Sequence, residues 1–140
     1  MRILLILPDA HMHKFRWGRS VWSLREAPLT LTTLAALTAG VPEVGYTLVD
    51  GSVETIPLSA EADLVGISVI TGNARRAYAL ADHYRRRGIP VVLGGIHVTL
   101  MPEEAARHAD AIVKGMAEET WPRLVEDARA GRLQAVYEAI

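Results

Sequence analysis

Small and polar residues follow three apolar runs of the type that forms buried strands. Asp9-Ala10-His11 follows residues 2–7, residues 68–73 follow 63–67, and residues 94–97, Gly-Gly-Ile-His, follow 89–93. In open α/β sheets, ligands bind at the carboxyl ends of the strands. Hydroxyl, amide and imidazole groups there supply hydrogen bonds, and paired glycines leave room for a bulky ligand. We therefore expect a binding site for a large, flat organic molecule at this edge.

The composition sets limits on partners and location. The chain has 140 residues, of which 50% are hydrophobic, and a net charge of −1, so we expect a single domain over 1–140 without attraction for nucleic acid or anionic membranes. It contains no cysteine, so it holds no disulfide and no cysteine-bound iron–sulfur cluster. The first apolar run is too short for a membrane span or a signal segment, which favours a cytoplasmic location.

Strand and helix patterns alternate along the chain. The apolar runs predict strands at 2–7, 45–50, 63–69, 90–94 and 109–113, and the helical patterns cover 28–39, 73–87, 102–108 and 118–130. Residues 8–27 read as one long loop. This alternation predicts an α/β fold, Rossmann-like and with the flavodoxin-like strand order 2-1-3-4-5, in which a five-stranded parallel sheet carries helices on both faces.

Familiar nucleotide motifs do not occur at the positions where this fold would need them. The first strand is followed by Pro8-Asp9-Ala10-His11 instead of G-x-G-x-x-G, and the phosphate loop G-x-x-x-x-G-K-[ST] is absent. Ser68 stands where a receiver domain needs an acceptor aspartate. Residues 71–73, Thr-Gly-Asn, have the letters of a flavin phosphate loop but follow the third strand, which disfavours a flavin protein.

A different cofactor fits the spacing of the remaining motifs. The motifs are, in order, Ser68, Thr71 and Asn73, then residues 91–97, 102–105, 109–118 and 120–122. In this order and spacing the chain resembles cobalamin-binding domains, in particular those at the N-terminus of cobalamin-dependent radical S-adenosylmethionine enzymes. The resemblance implies cobalamin bound with its benzimidazole tail detached, in a module of a methyltransferase-type enzyme. It further implies that S-adenosylmethionine and the iron–sulfur cluster belong to a separate C-terminal barrel domain. The C-x-x-x-C-x-x-C motif of that barrel is missing here, so this chain by itself is not expected to catalyse the reaction.

The strand-end pattern and the resemblance together define the candidate cofactor-binding residues. Gly94 and Gly95 are expected to clear a slot for the nucleotide tail, with valine tolerated there by the fold, and Ser68 to bond the tail. The loop after the first strand is expected to carry the corrin face. The full set is Pro8, Asp9, His11, Asp50, Ser68, Thr71, Asn73, Gly94, Gly95, His97, Gly115 and Glu118.

Two departures from the family pattern leave alternatives open. Residues 9–14 keep the Asp and His of the cobalt-ligating motif D-x-H-x-x-G, but Lys14 replaces its glycine. His11 is thus a possible cobalt ligand, oriented by Asp9, although we favour no metal ligand from this chain. Met116 departs from the usual acidic loop. The second hypothesis, supported by both departures, is a cofactor-free interaction or regulatory module. Trp17 and Trp22 would pack on the corrin or on the sheet edge.

Overall fold

The computed structural model describes residues 1–10, 14–18, 20–23 and 29–139. In chain order the elements are β1 (Arg2–Leu7), β2 (Lys14–Trp17), β3 (Ser20–Ser23), α1 (Leu29–Leu37), β4 (Gly45–Asp50), β5 (Leu64–Ser68), a 3-10 turn (Thr71–Asn73), α2 (Ala74–Arg86), β6 (Val91–Gly94), α3 (Ile96–Leu100), α4 (Pro102–Ala106), β7 (Ala111–Lys114), α5 (Ala117–Arg129) and β8 (Val136–Glu138).

Six strands form one parallel sheet in the order β4-β1-β5-β6-β7-β8. This arrangement confirms the predicted α/β class and the order of the first five sheet strands. The predicted number of strands was wrong, because β8 adds a sixth beside β7. A three-residue strand is too short for its hydrophobic pattern to be recognised.

A buried carboxylate holds this additional strand against the last helix. Asp127 on α5 accepts hydrogen bonds from the Tyr137 hydroxyl at 3.0 Å and from the Arg132 Nε at 2.9 Å, and Gln134 Nε2 donates to it at 3.0 Å. Tyr137 itself is fully buried. Burial alone would raise the pKa of Asp127, but these hydrogen bonds outweigh burial and hold the pKa below its ordinary value.

The sheet separates two apolar layers, as predicted for helices on both faces. Along β1, Leu4 and Ile6 face α2, α3 and α4, whereas Ile3, Leu5 and Leu7 face α1 and α5. The alternation follows from the pleat of a strand that is buried on both sides. Helix α1 has no charged residue and contributes Leu31 and Leu34 to the second layer.

Part of the predicted long loop is a β-hairpin. Strands β2 and β3 pair antiparallel, and Gly18, with φ of +59°, lies in the turn between them. Trp17 is 84% exposed, so it does not pack against the sheet edge. His11, His13 and the side chain of Trp22 lie outside the described residues.

The backbones that follow β5 and β6 are in direct contact. The Val69 amide donates to the Gly94 carbonyl at 2.7 Å, and the His97 amide donates to the Val69 carbonyl at 3.2 Å. Gly95 has φ of +108°, and a Cβ there would lie 2.6 Å from the Val69 oxygen. The expectation that the fold tolerates valine at position 95 was therefore wrong, because this contact has no space for any side chain.

We expect Gly95→Ala to destabilise the fold by about 2–4 kcal/mol, since it combines an unfavourable φ with a backbone clash. The matched variant Gly94→Ala should change stability by less than about 1 kcal/mol, because ordinary strand dihedrals leave only the small glycine-to-alanine difference. Its Cβ would meet Val113 at an ordinary 3.5 Å. Urea unfolding of both variants measures the difference, and equal losses would contradict the assigned backbone contact.

We expect Asp127→Asn to lower the melting temperature at pH 7 and to reduce its acid dependence. The folded pKa of Asp127 is depressed, so its stabilisation is present above the ordinary pKa of 3.8 and is lost as the pH falls through the folded value. Thermal unfolding between about pH 7 and pH 2 tests this expectation. Glu126→Gln, which removes an exposed carboxylate from the same helix, is the control and should behave as the wild type. Parallel acid profiles for wild type and Asp127→Asn would contradict the prediction.

Candidate functional site

The predicted strand ends meet at the carboxyl edge of the sheet. Strand β5 lies between β1 and β6, with Ile6 opposite Ile67 and Ser68 opposite Gly94. The residues after β1, β5 and β6 therefore border the same edge. This is the geometry from which the sequence pattern predicted a ligand site.

A narrow cleft opens beneath this edge, between the sheet and helices α1 and α5. Its volume is about 40 Å³, and its lining is mostly apolar. The predicted residues Ser68, Gly94 and Gly95 all border it. The complete lining is Leu5, Thr30, Leu31, Leu34, Gly66, Ile67, Ser68, Val92, Gly94, Gly95, Val113, Ala117 and Trp121.

Ser68 supplies a polar group to this apolar cleft. Its hydroxyl makes no hydrogen bond within the described part of the chain, while the Ser68 carbonyl accepts one from the Asn73 side chain at 3.4 Å. A half-buried hydroxyl without a protein partner can bond a ligand that enters the cleft. Gly94 widens the cleft beside Ser68, because a side chain at position 94 would point towards Val113 in the cleft lining.

The walls of the cleft include Gly66, which the sequence analysis missed, and Trp121, which belongs to the motifs of the resemblance but was not predicted as a site residue. Gly66 lies in the middle of β5, where a Cβ would approach Leu5 to 2.6 Å and the Trp121 ring to 3.4 Å. Trp121 is buried, and its indole nitrogen donates to the Tyr46 hydroxyl at 3.1 Å, so the ring is held in place. A glycine within an apolar strand was the available signal, since it marks a close approach of another group.

Asn73 cross-links two of the loops at the edge. Its side-chain amide donates to the Pro8 carbonyl at 3.1 Å, and its oxygen accepts from the Ile70 amide at 2.9 Å. Asn73 is 2% exposed, so these protein contacts occupy both ends of the side chain. Asn73 thus positions the loops after β1 and β5, and its amide is not directed at the cleft.

Asp9 and Asp50 also make contacts within the protein. The Asp9 carboxylate lies 2.7 Å from Nε of Arg76 on α2, while His11, the residue it was predicted to orient, lies outside the described residues. Asp50 accepts from the backbone and hydroxyl of Ser52 at 2.9 and 2.7 Å. Both carboxylates lie at the predicted edge but line no part of the cleft described here.

The two candidates near the last helix border the same edge. Gly115 has φ of +76°, and its amide donates to the Thr99 hydroxyl at 3.0 Å. This bond ties the loop after β7 to α3. Glu118 lies exposed in the first turn of α5, one residue beyond Ala117 of the cleft lining.

His97 lies on the opposite face of the sheet edge from the cleft. Its Nδ1 is 3.2 Å from the Thr71 hydroxyl, and its Nε2 is 3.3 Å from the Glu104 carboxylate. The Tyr78 hydroxyl approaches the same carboxylate without the geometry of a regular hydrogen bond. Burial, followed by the effect of Glu104, raises the pKa of Tyr78 to about 12. The contacts of Tyr78 and His97 lower the pKa of Glu104, so it is ionised at neutral pH.

A larger cleft of about 740 Å³ lies at the opposite, amino edge of the sheet, between Asp63, Arg85 and Asp110. We favour the smaller one, because parallel sheets bind ligands at their carboxyl ends. Among the described residues, no cluster of three or more His, Asp or Glu side chains is arranged to hold a metal ion. Within the same residues, no helix is long and apolar enough to cross a membrane.

Comparison with known proteins places this geometry in a family. The model of the B12 binding domain matches residues 29–125. The chain is 41% identical over 116 residues to the bacteriochlorophyllide d C-8(2)-methyltransferase of Chlorobaculum tepidum, covering 81% of this chain and 26% of that protein. It is 33% identical over 113 residues to the C-12(1)-methyltransferase of the same organism, covering 80% and 25%.

Two further matches extend the comparison. An uncharacterized methyltransferase of Pyrococcus horikoshii is 32% identical in an alignment of 145 positions, and the match covers 94% of this chain and 30% of that protein. The crystal structure of the N-terminal domain of a hypothetical protein from Thermotoga maritima shares the fold, with a TM-score of 0.58 and 15% identity, and the match covers 89% of this chain and 99% of that domain. The chain spans about a quarter of the length of the methyltransferases it matches. With the family model matched over most of its length, the chain belongs to the B12-binding domain family.

Proposed function

We propose that this chain binds cobalamin at the carboxyl edge of its sheet, with the benzimidazole tail detached and inserted into the cleft between the sheet and α1. The observation that carries the proposal is the combination of the Ser68 hydroxyl, which has no hydrogen-bond partner among the described residues, with the side-chain-free Gly94 in a mostly apolar cleft. An aromatic base with a polar linker requires such surroundings, since buried polar groups need partners. The loops after β1 and β5 would support the corrin.

The cleft fits the tail in chemistry but must widen to admit it. A cavity of roughly 150 Å³ holds one benzene molecule, whereas this cleft measures about 40 Å³. Trp121 is held by its hydrogen bond to Tyr46. The side chains that must move to widen the cleft are therefore Leu31 and Leu34 of the uncharged helix α1. Helix α1 carries no charged residue, so it can shift without breaking an ion pair, and Thr38, directly after it, is hydrogen-bonded to the Tyr46 hydroxyl.

We further infer that the domain serves as the cofactor module of a radical S-adenosylmethionine methyltransferase-type enzyme. Bound cobalamin would supply the group-transfer chemistry, and the protein would orient it. The chain has no cysteine, so a cysteine-bound iron–sulfur cluster, and the S-adenosylmethionine bound to it, would be held by another domain. The names of the matched methyltransferases support this role. A cofactor-free regulatory module is the alternative that the following measurement decides.

We expect the chain to retain hydroxocobalamin after gel filtration at close to one equivalent, as measured by its visible spectrum and by equilibrium dialysis. Gly94→Val should weaken binding about 10- to 100-fold, because filling the slot costs roughly 1–3 kcal/mol. Gly45→Val is the matched control, since it places the same side chain in open space at the other end of the sheet. Wild-type protein without bound cobalamin at tens of micromolar would favour the cofactor-free module.

We expect the Co(II) form of the bound cofactor to show no nitrogen superhyperfine splitting in electron paramagnetic resonance. A detached tail and a cobalt without a histidine ligand both predict this spectrum. His11→Ala should then change the affinity by less than about 1 kcal/mol, as surface substitutions do. Splitting that disappears in His11→Ala would make His11 the axial ligand, and splitting that persists there would show that the tail stays coordinated.

A further inference from the structure

A chain of hydrogen bonds through one buried histidine ends at an exposed hydroxyl on the candidate cofactor edge. Thr71, exposed in the turn after β5, bonds Nδ1 of His97, whose Nε2 in turn contacts Glu104 on α4. His97 is 8% exposed, so its ring is held between these two partners and is shielded from water. The three residues come from three elements that no local pattern connects.

The direction of each hydrogen bond follows from the chemistry of the partners. An ionised carboxylate only accepts, so Nε2 of His97 carries the proton towards Glu104. In the neutral imidazole the other nitrogen is then an acceptor, and the Thr71 hydroxyl must donate to it. With its hydrogen committed to Nδ1, the Thr71 oxygen can only accept a bond from a ligand.

We propose that Glu104 and His97 are positioning residues that fix Thr71 as a hydrogen-bond acceptor for an amide N–H at the periphery of the bound cofactor. The proposal rests on the proposed cobalamin binding, since the rim of the corrin carries neutral carboxamides with N–H donors. A carboxylate in place of the amide would face the Thr71 oxygen without a proton to share. The chain would thereby select the amidated corrin over its hydrolysed forms.

The tautomer of His97 tests the first half of the proposal in the cofactor-free chain. Nitrogen-15 NMR of histidine-labelled protein at pH 8 should show the Nε2–H form for His97. Glu104→Leu should abolish this preference, and Glu103→Leu, on the same helix turn, should leave it unchanged. The Glu104 side chain is 42% exposed, so leucine is accommodated there. A protonated Nδ1 in the wild type, or an unchanged tautomer in Glu104→Leu, would overturn the proposal.

Cobalamin affinity tests the second half. Thr71→Val should weaken binding about 3- to 10-fold, the loss expected for one hydrogen bond, and Thr71→Ser should stay within about twofold of wild type because it restores the hydroxyl. At least one cobalamin monocarboxylic acid should bind the wild type about 10-fold more weakly than cobalamin, and Thr71→Val should reduce this difference. Equal binding of cobalamin by wild type and Thr71→Val would overturn the proposal, whereas a wild type that binds no cobalamin would refute the proposed function itself.

Discussion

The close contact between Gly95 and Val69 is the constraint on which the rest of the edge depends. Two backbone hydrogen bonds, from Val69 to Gly94 and from His97 to Val69, join the loops after β5 and β6. The contact exists because Gly95 has no side chain and adopts a φ that other residues avoid. Once these loops are joined, the positions of Ser68 on one face and of His97 on the other are fixed together.

The two faces of this edge offer different chemistry. On the α1 and α5 side the cleft is apolar, and its walls are the Leu5 side chain and the anchored Trp121 ring. On the α2 and α4 side, Thr71, His97 and Glu104 form a polar chain that ends at the surface. A cofactor with an aromatic tail and a rim of amides needs both kinds of surface. The B12-binding domain family, to which the chain belongs, is named for such a ligand.

The small volume of the cleft reflects a balance between stability and binding. A permanently open slot would leave Leu31, Leu34 and Trp121 without packing partners, which costs free energy in proportion to the empty volume. Because the cleft is closed down to a volume of about 40 Å³, most of this free-energy cost is avoided. The Ser68 hydroxyl, which has no partner in the described part of the chain, is the polar group left for a ligand.

The sequence by itself determined the α/β class, the order of the first five sheet strands and the strand ends that border the site. Those features depend on local patterns, namely continuous apolar runs, alternating helices and the pair Gly94-Gly95. Only the tertiary structure decided the sixth strand, the β-hairpin, the cleft walls at Gly66 and Trp121, and the pairing of His97 with Thr71 and Glu104. These depend on strand register and on contacts between residues far apart in the chain, which no local spacing specifies. The buried Asp127, for example, holds β8 only because α5 packs beside it.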